Sequence, residues 1–156
     1  MKYFKAEYLD MINSDDPRTR EEGDSKWSNS CDEYSKYFDS IKEKLPKEFL
    51  HEYFENKGFH DCTISDIHIK SEEGNVCTIV ISLHNHEFEF SIRYSSITGY
   101  CFHVPTNHHR YSKMSWGYDE FEIHDNDEVT HRVLCDHDCE FVVHFKELSL
   151  EQKPNY

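Results

Sequence analysis

The chain changes its grammar once, at Gly58-Phe59-His60-Asp61. Ahead of this junction, apolar residues recur every three to four positions. Behind it, they alternate every second position for most of the remaining chain. A 3.6-residue period buries one stripe of a helix, and a two-residue period buries one face of a strand. The switch therefore predicts helices first and a sheet second, with a histidine and an aspartate at the seam.

The helical part can be read in some detail. Phe4, Tyr8, Met11 and Ile12 share one side of a short first helix. Asp16 can cap the next helix, and Pro17 suits its first position. Trp27, Cys31, Tyr34, Phe38, Ile41 and Leu45 then alternate four- and three-residue spacing, which gives one apolar stripe. The early stretch around Gly23 is rich in acids and is expected to fray. Pro46 interrupts the pattern and starts a third helix, whose buried face is Phe49, Leu50, Tyr53 and Phe54. Asn56-Lys57-Gly58 then forms a C-terminal stop.

From residue 62 the sequence predicts about seven strands. Ile67 and Ile69 alternate in the first, and 72–75 reads as a turn. Cys77, Ile79, Ile81 and Leu83 line one face of a strand whose other face is also apolar, as in a central strand. Phe88, Phe90, Ile92 and Tyr94 alternate with polar residues in a half-buried strand. Ile97 to Val104 forms another, and Phe121, Val129–Leu134 and Phe141–Phe145 mark the rest. Residues 105–117 form the longest irregular segment, and the tail 151–156 reads as loose. Short turns require antiparallel neighbours. The expected fold class is thus α+β in a single domain 1–156. About three helices (1–57) pack on an antiparallel, meander-like sheet (58–150). No period of 20–50 residues repeats, which argues against a solenoid or propeller.

Aromatic residues make up 15% of the chain within a hydrophobic fraction of only 37%. The core must therefore lean on rings. The formal net charge is −14 and is unevenly placed. Residues 1–57 carry 10 Lys+Arg against 14 Asp+Glu, and residues 58–156 carry 7 against 17. Such a field disfavours nucleic acid and anionic membrane surfaces and favours a basic protein partner or metal cations. The start lacks an apolar signal core and no run is long enough to span a membrane, so a cytosolic chain with reduced cysteines is expected.

Three constellations could carry chemistry. Cys135-Asp136-His137-Asp138-Cys139 offers two thiolates and an imidazole, ligands that suit zinc, and His131 or His124 would have to complete the set. The same spacing also fits cysteines that merely flank a three-residue hairpin loop. His60-Asp61-Cys62 suggests an activated thiol, but strand neighbours point to opposite faces and the acidic surroundings would not lower a thiol pKa. His103, His108 and His109 would hold a transition metal with His84 and His86 only if their loops met at one sheet end. Nucleotide-binding glycine motifs, zinc-protease helices and nucleophile elbows are absent from the sequence.

With Met1-Lys2-Tyr3-Phe4, the Trp27 helix, Leu45-Pro46 and the run from Gly58 to Ile69 in view, the chain resembles a small bacterial family catalogued as a domain of unknown function. The resemblance covers mainly residues 1–75. Loosely similar His-Asp strand openings occur in suspected immunity proteins of toxin systems, so the resemblance implies a label rather than a catalytic set. The expected function is a non-enzymatic binding or regulatory module, immunity-like, that meets a basic protein through its acidic sheet half. Tyr100, Tyr111 and Trp116 would serve as aromatic anchors. The rival expectation is a metal-binding protein or metal-dependent hydrolase using the His/Cys/Asp clusters, and self-association through apolar strand edges is a third.

Overall fold

A computed structural model describes residues 1–72, 76–104, 114–136 and 139–155. Three N-terminal helices, α1 (Ala6–Ile12), α2 (Pro17–Ile41) and α3 (Lys47–Glu55), pack on an eight-stranded antiparallel sheet. The strands are β1 (Thr63–Glu72), β2 (Val76–His84), β3 (Phe88–Ser95), β4 (Gly99–His103), β5 (Met114–Ile123), β6 (Val129–Cys135), β7 (Glu140–Phe145) and β8 (Glu147–Pro154). Among the described residues, no helix is long and apolar enough to cross a membrane.

The helix starts follow from local chemistry. The Asp16 carboxylate accepts from the amides of Arg18 and Thr19, and Pro17 takes the first position of α2, where its missing N–H costs nothing. The expected fraying near Gly23 gives way to a close helix crossing. A Cβ on Gly23 would lie 2.7 Å from Met11 Cβ and 2.8 Å from the Ile12 amide nitrogen, so the missing side chain lets α1 lie against α2. The apolar stripe of α2 buries Tyr34, Phe38 and Ile41. In α3, Phe49 and Tyr53 are buried, but Phe54 is 55% exposed, one position off the stripe that faces the sheet.

The sheet runs in the order β4-β7-β6-β5-β1-β2-β3-β8. It contains two three-stranded meanders, β1-β2-β3 and β5-β6-β7, joined between β1 and β5. Each meander receives its fourth strand from the other half. β4 follows β3 in sequence but pairs with β7, and β8 follows β7 but pairs with β3. Through Pro154 the tail is therefore not loose. Residues 147–154 form an edge strand in register with β3 from Ser95↔Glu147 to Phe88↔Pro154, which raises the strand count to eight. Its polar sequence reflects one solvated face, with Leu148 turned inward.

The exchange requires a strongly curled sheet. A single residue, Lys146, separates β7 from β8, although those strands lie far apart in the sheet order. The two crossings meet: Thr98 N donates to His144 O and Lys146 N to Ser95 O. Rings from both halves face each other inside the curl, as where Tyr94 of β3 meets Phe145 of β7 edge-on, with centroids 5.1 Å apart. The largest fully buried side chains include Trp116, Tyr94, Phe49, Phe59, Phe90, Phe121, Phe141 and Phe145, the aromatic core that the composition demands.

The halves are joined where β1 meets β5. Among the described residues, β1 pairs with β5 at Thr63↔Ser115 and Ile64↔Met114. Beyond this pairing, helix side chains satisfy amides of β5. Phe121 N donates to the Tyr34 hydroxyl (2.7 Å) and Ile123 N to the Tyr37 hydroxyl (3.2 Å). The segment before α1 adds a further tie, with the Tyr3 amide donating to the buried Glu120 carboxylate at 2.9 Å.

Candidate functional site

The helix-to-sheet junction is stitched to β5. Asp61 N donates to Trp116 O and Trp116 N to Cys62 O, both at 2.8 Å. Lys57, Gly58, Phe59 and Asp61 all have left-handed φ, between 53° and 67°, a conformation costly for residues other than glycine. Burying Phe59 completely, against Phe49 and Trp116, offsets that strain. Beside the junction lies a groove of about 580 Å³, lined among others by His60, Asp61, His84, His86 and Asn155.

The groove does not contain an activated thiol. His60 Nδ1 lies 3.1 Å from Asp61 Oδ2, but Cys62 points into the core. Burial, reinforced by the Asp61 carboxylate, pushes its thiol pKa up to about 11, which keeps it protonated at neutral pH. Of the histidines considered for convergence, His84 and His86 stand at this groove, whereas His103 pairs opposite Glu140 on β4. His108 and His109 lie outside the described residues.

The Cys135/Cys139 pair is a turn closure. Cys135 N donates to Cys139 O at 2.8 Å, and both side chains are buried. Desolvation, then the neighbouring Cys139 and Asp136, hold the Cys135 thiol far above its ordinary value. His137 of the same constellation lies outside the described residues.

Of the two aromatic anchors among the described residues, Tyr100 is 49% exposed on β4, the last strand of the sheet order. Trp116 is not a loop anchor but is fully buried on β5. The reason is a bulge between Trp116 and Tyr118, which breaks the alternation of the strand and disguises its start. Gly117 sits in the bulge because a Cβ there would lie 2.7 Å from the Leu134 carbonyl oxygen. The Trp116 indole N–H finds no hydrogen-bond partner among the described residues. Tyr111 lies outside the described residues.

The sequence reading missed a polar chain through the core. Tyr94 Oη lies 2.9 Å from His131 Nδ1, His131 Nε2 lies 2.7 Å from Asp119 Oδ2, and the Tyr53 hydroxyl donates to Asp119 Oδ1 at 2.9 Å. One assignment satisfies every group: Tyr94 donates to His131, His131 donates to Asp119, and Tyr53 also donates to Asp119. Phe121 stacks on the imidazole with centroids 3.9 Å apart. The tyrosines feel the enclosed carboxylate: burial first, then Asp119, pushes the phenols of Tyr53 and Tyr94 well above their ordinary range. Solvent does not reach His131, so the chain specifies and holds the core rather than processing a solute. Its signal in the sequence is the position of Asp119 and His131 in the apolar phase of their strands.

Among the described residues, the most exposed apolar side chains of the sheet half lie at the end of the strand order, where β4 pairs with β7 alone. β4 carries Tyr100 and, directly after it, Val104, which is 58% exposed; no residue from Gly99 to Val104 is an acid, lysine or arginine. No family model matches the chain, and no curated protein sequence matches it.

Proposed function

We propose that this chain is a protein-binding module that takes up a basic, extended segment of its partner along the outer edge of β4. The observation that carries the reading is the character of that edge. An edge strand presents unpaired amides and carbonyls to the outside, and folded proteins ordinarily guard such rows with charges, proline or bulges. Here the strand is Gly-Tyr-Cys-Phe-His, it pairs with β7 alone among the described residues, and Tyr100 is exposed on it. Strand addition draws affinity from main-chain hydrogen bonds and specificity from alternate side-chain contacts. The formal charge of −14 adds attraction for a basic segment and speeds its encounter. An immunity-like or regulatory protein needs this kind of complementarity and no chemistry of its own.

Extended synthetic peptides with alternating aromatic and lysine residues test the reading. Such peptides should bind and weaken by roughly tenfold or more between about 50 and 500 mM salt, as screening shortens the reach of charge. N-methylation at alternate backbone positions should abolish binding, and Tyr100→Ala should weaken it. Affinity indifferent to salt and to N-methylation would remove both the electrostatic and the strand-addition parts.

A further inference from the structure

We infer that His124, Glu128 and His144 form a binding site for one divalent transition-metal ion of zinc-like ligand preference, seated where the two half-sheets exchange strands. The three residues come from separate pieces of chain. His124 follows β5, Glu128 precedes β6, and His144 lies on β7. One ligand atom from each lies within 4.8 Å of the others.

Convergence distinguishes this group from the other described histidines. His124 Nε2 and His144 Nδ1 each lie 2.8 Å from the hydroxyl oxygen of Thr130, a fully buried residue. A hydroxyl owns one proton and can donate it to only one of two facing nitrogens. The other ring must turn its own N–H inward. An ion replaces that arrangement with one in which both rings present lone pairs to a common point. Tetrahedral zinc with Zn–N bonds of about 2.0–2.1 Å needs the two nitrogens about 3.4 Å apart, which small rotations of partly exposed rings can supply.

The surroundings support a cation. The Thr98 hydroxyl donates to Glu128 Oε2, which orients the carboxylate and leaves its other oxygen for the ion. Outer-shell partners of this kind fix ligand geometry in metal sites. The backbone is held independently of any ion, by His124 N donating to Glu128 O and Thr98 N to His144 O. Asp125 and Asp127, both exposed in the intervening turn, add to the acidic field of the chain. Two imidazoles and one carboxylate select zinc and its first-row neighbours over magnesium and calcium, which prefer all-oxygen sites, and leave a coordination position open to water. A bound ion would tie the β5–β6 turn to β7 and, through Thr98, to the start of β4.

The test uses full-length, tag-free protein stripped with chelator and titrated with Co²⁺, then Zn²⁺. One equivalent of Co²⁺ should give visible ligand-field bands without a thiolate charge-transfer band, and Zn²⁺ should displace it. Nitrogen-15 spectra of the zinc form should show His124 protonated only at Nδ1 and His144 only at Nε2. Glu128→Gln, which keeps an oxygen for Thr98, and His124→Ala should each weaken zinc at least tenfold, with circular dichroism confirming the fold. The control double variant H84A/H86A should bind as the parent does. The proposal is overturned by a thiolate band, which would move the ion to Cys135 and Cys139. Absence of stoichiometric binding, or unchanged affinity in E128Q and H124A, would overturn it equally.

Discussion

At the scale of single residues, the buried carboxylate of Asp119 does most to define this core. It accepts from Tyr53 and from His131, and His131 in turn accepts from Tyr94, so three strands and one helix are tied to one charge. Removing one partner of an enclosed pair leaves the other desolvated and unpaired. Asp119→Ala should therefore cost roughly 3–5 kcal/mol. Tyr53→Phe, which removes one donor and leaves the carboxylate bonded to His131, should cost only about 1–2 kcal/mol. Denaturant melts of the two variants separate these values; equal losses would mean that Asp119 is a bystander of Tyr53 rather than the centre of a network. Part of this was legible in the sequence. His131 alternates with Val129 and Val133, and Asp119 with Phe121, positions where a polar residue has to find a partner inside. Which partner it finds was not legible, because Tyr53 and Tyr94 reach the site from elements far along the chain.

At the scale of elements, periodicity located the helices and most strands, and it failed where backbone geometry departs from a regular repeat. The Gly117 bulge shifts the phase of β5, so Trp116 and Asp119 both come to lie in the buried interior although an odd number of positions separates them. Trp116 consequently reads as the end of a loop. Gly23 reads as a weak point of α2 for a similar reason, since composition records the missing side chain and not the helix that lies against it. The competing terms make the role of Gly23 measurable. In an open helix interior, Gly→Ala should stabilise by about 1 kcal/mol through backbone entropy. Here the new methyl meets Met11 Cβ at 2.7 Å and the backbone of Ile12 at 2.8 Å, contacts that force α1 to move. Overpacking of this kind costs about 1–3 kcal/mol, so Gly23→Ala should be net destabilising and lower the melting temperature by a few degrees. A rise in melting temperature would mean that α1 yields freely.

At the scale of the whole molecule, the fold class was legible because alternation and short turns suffice for an antiparallel sheet. The exchange of fourth strands was not, since nothing local records whether a strand pairs with its own meander or the other. The exchange encloses the aromatic core on both sides, and its consequence appears at alkaline pH. The phenols of Tyr34, Tyr53 and Tyr94 are held above their ordinary value of 10.0, first by burial and then by the Asp119 carboxylate. In the unfolded chain they ionise near pH 10; in the folded protein they keep their protons. Above that pH these three phenols alone hold three more protons in the folded state than in the unfolded one, so their share of the stability falls by about 4 kcal/mol per pH unit. The buried thiols of Cys62 and Cys135, also raised, start the decline from their ordinary value of 9.0. Below pH 9 these groups contribute no slope. A domain whose total stability is about 5–15 kcal/mol should then unfold cooperatively before about pH 13. Tyrosinate absorbance and far-ultraviolet circular dichroism followed on one alkaline titration should change together in a single step, with part of the absorbance of the ten tyrosines withheld until the structure is lost. Complete tyrosine ionisation with the dichroism intact would show that hydroxide reaches these phenols without unfolding, and that the curl does not seal the core.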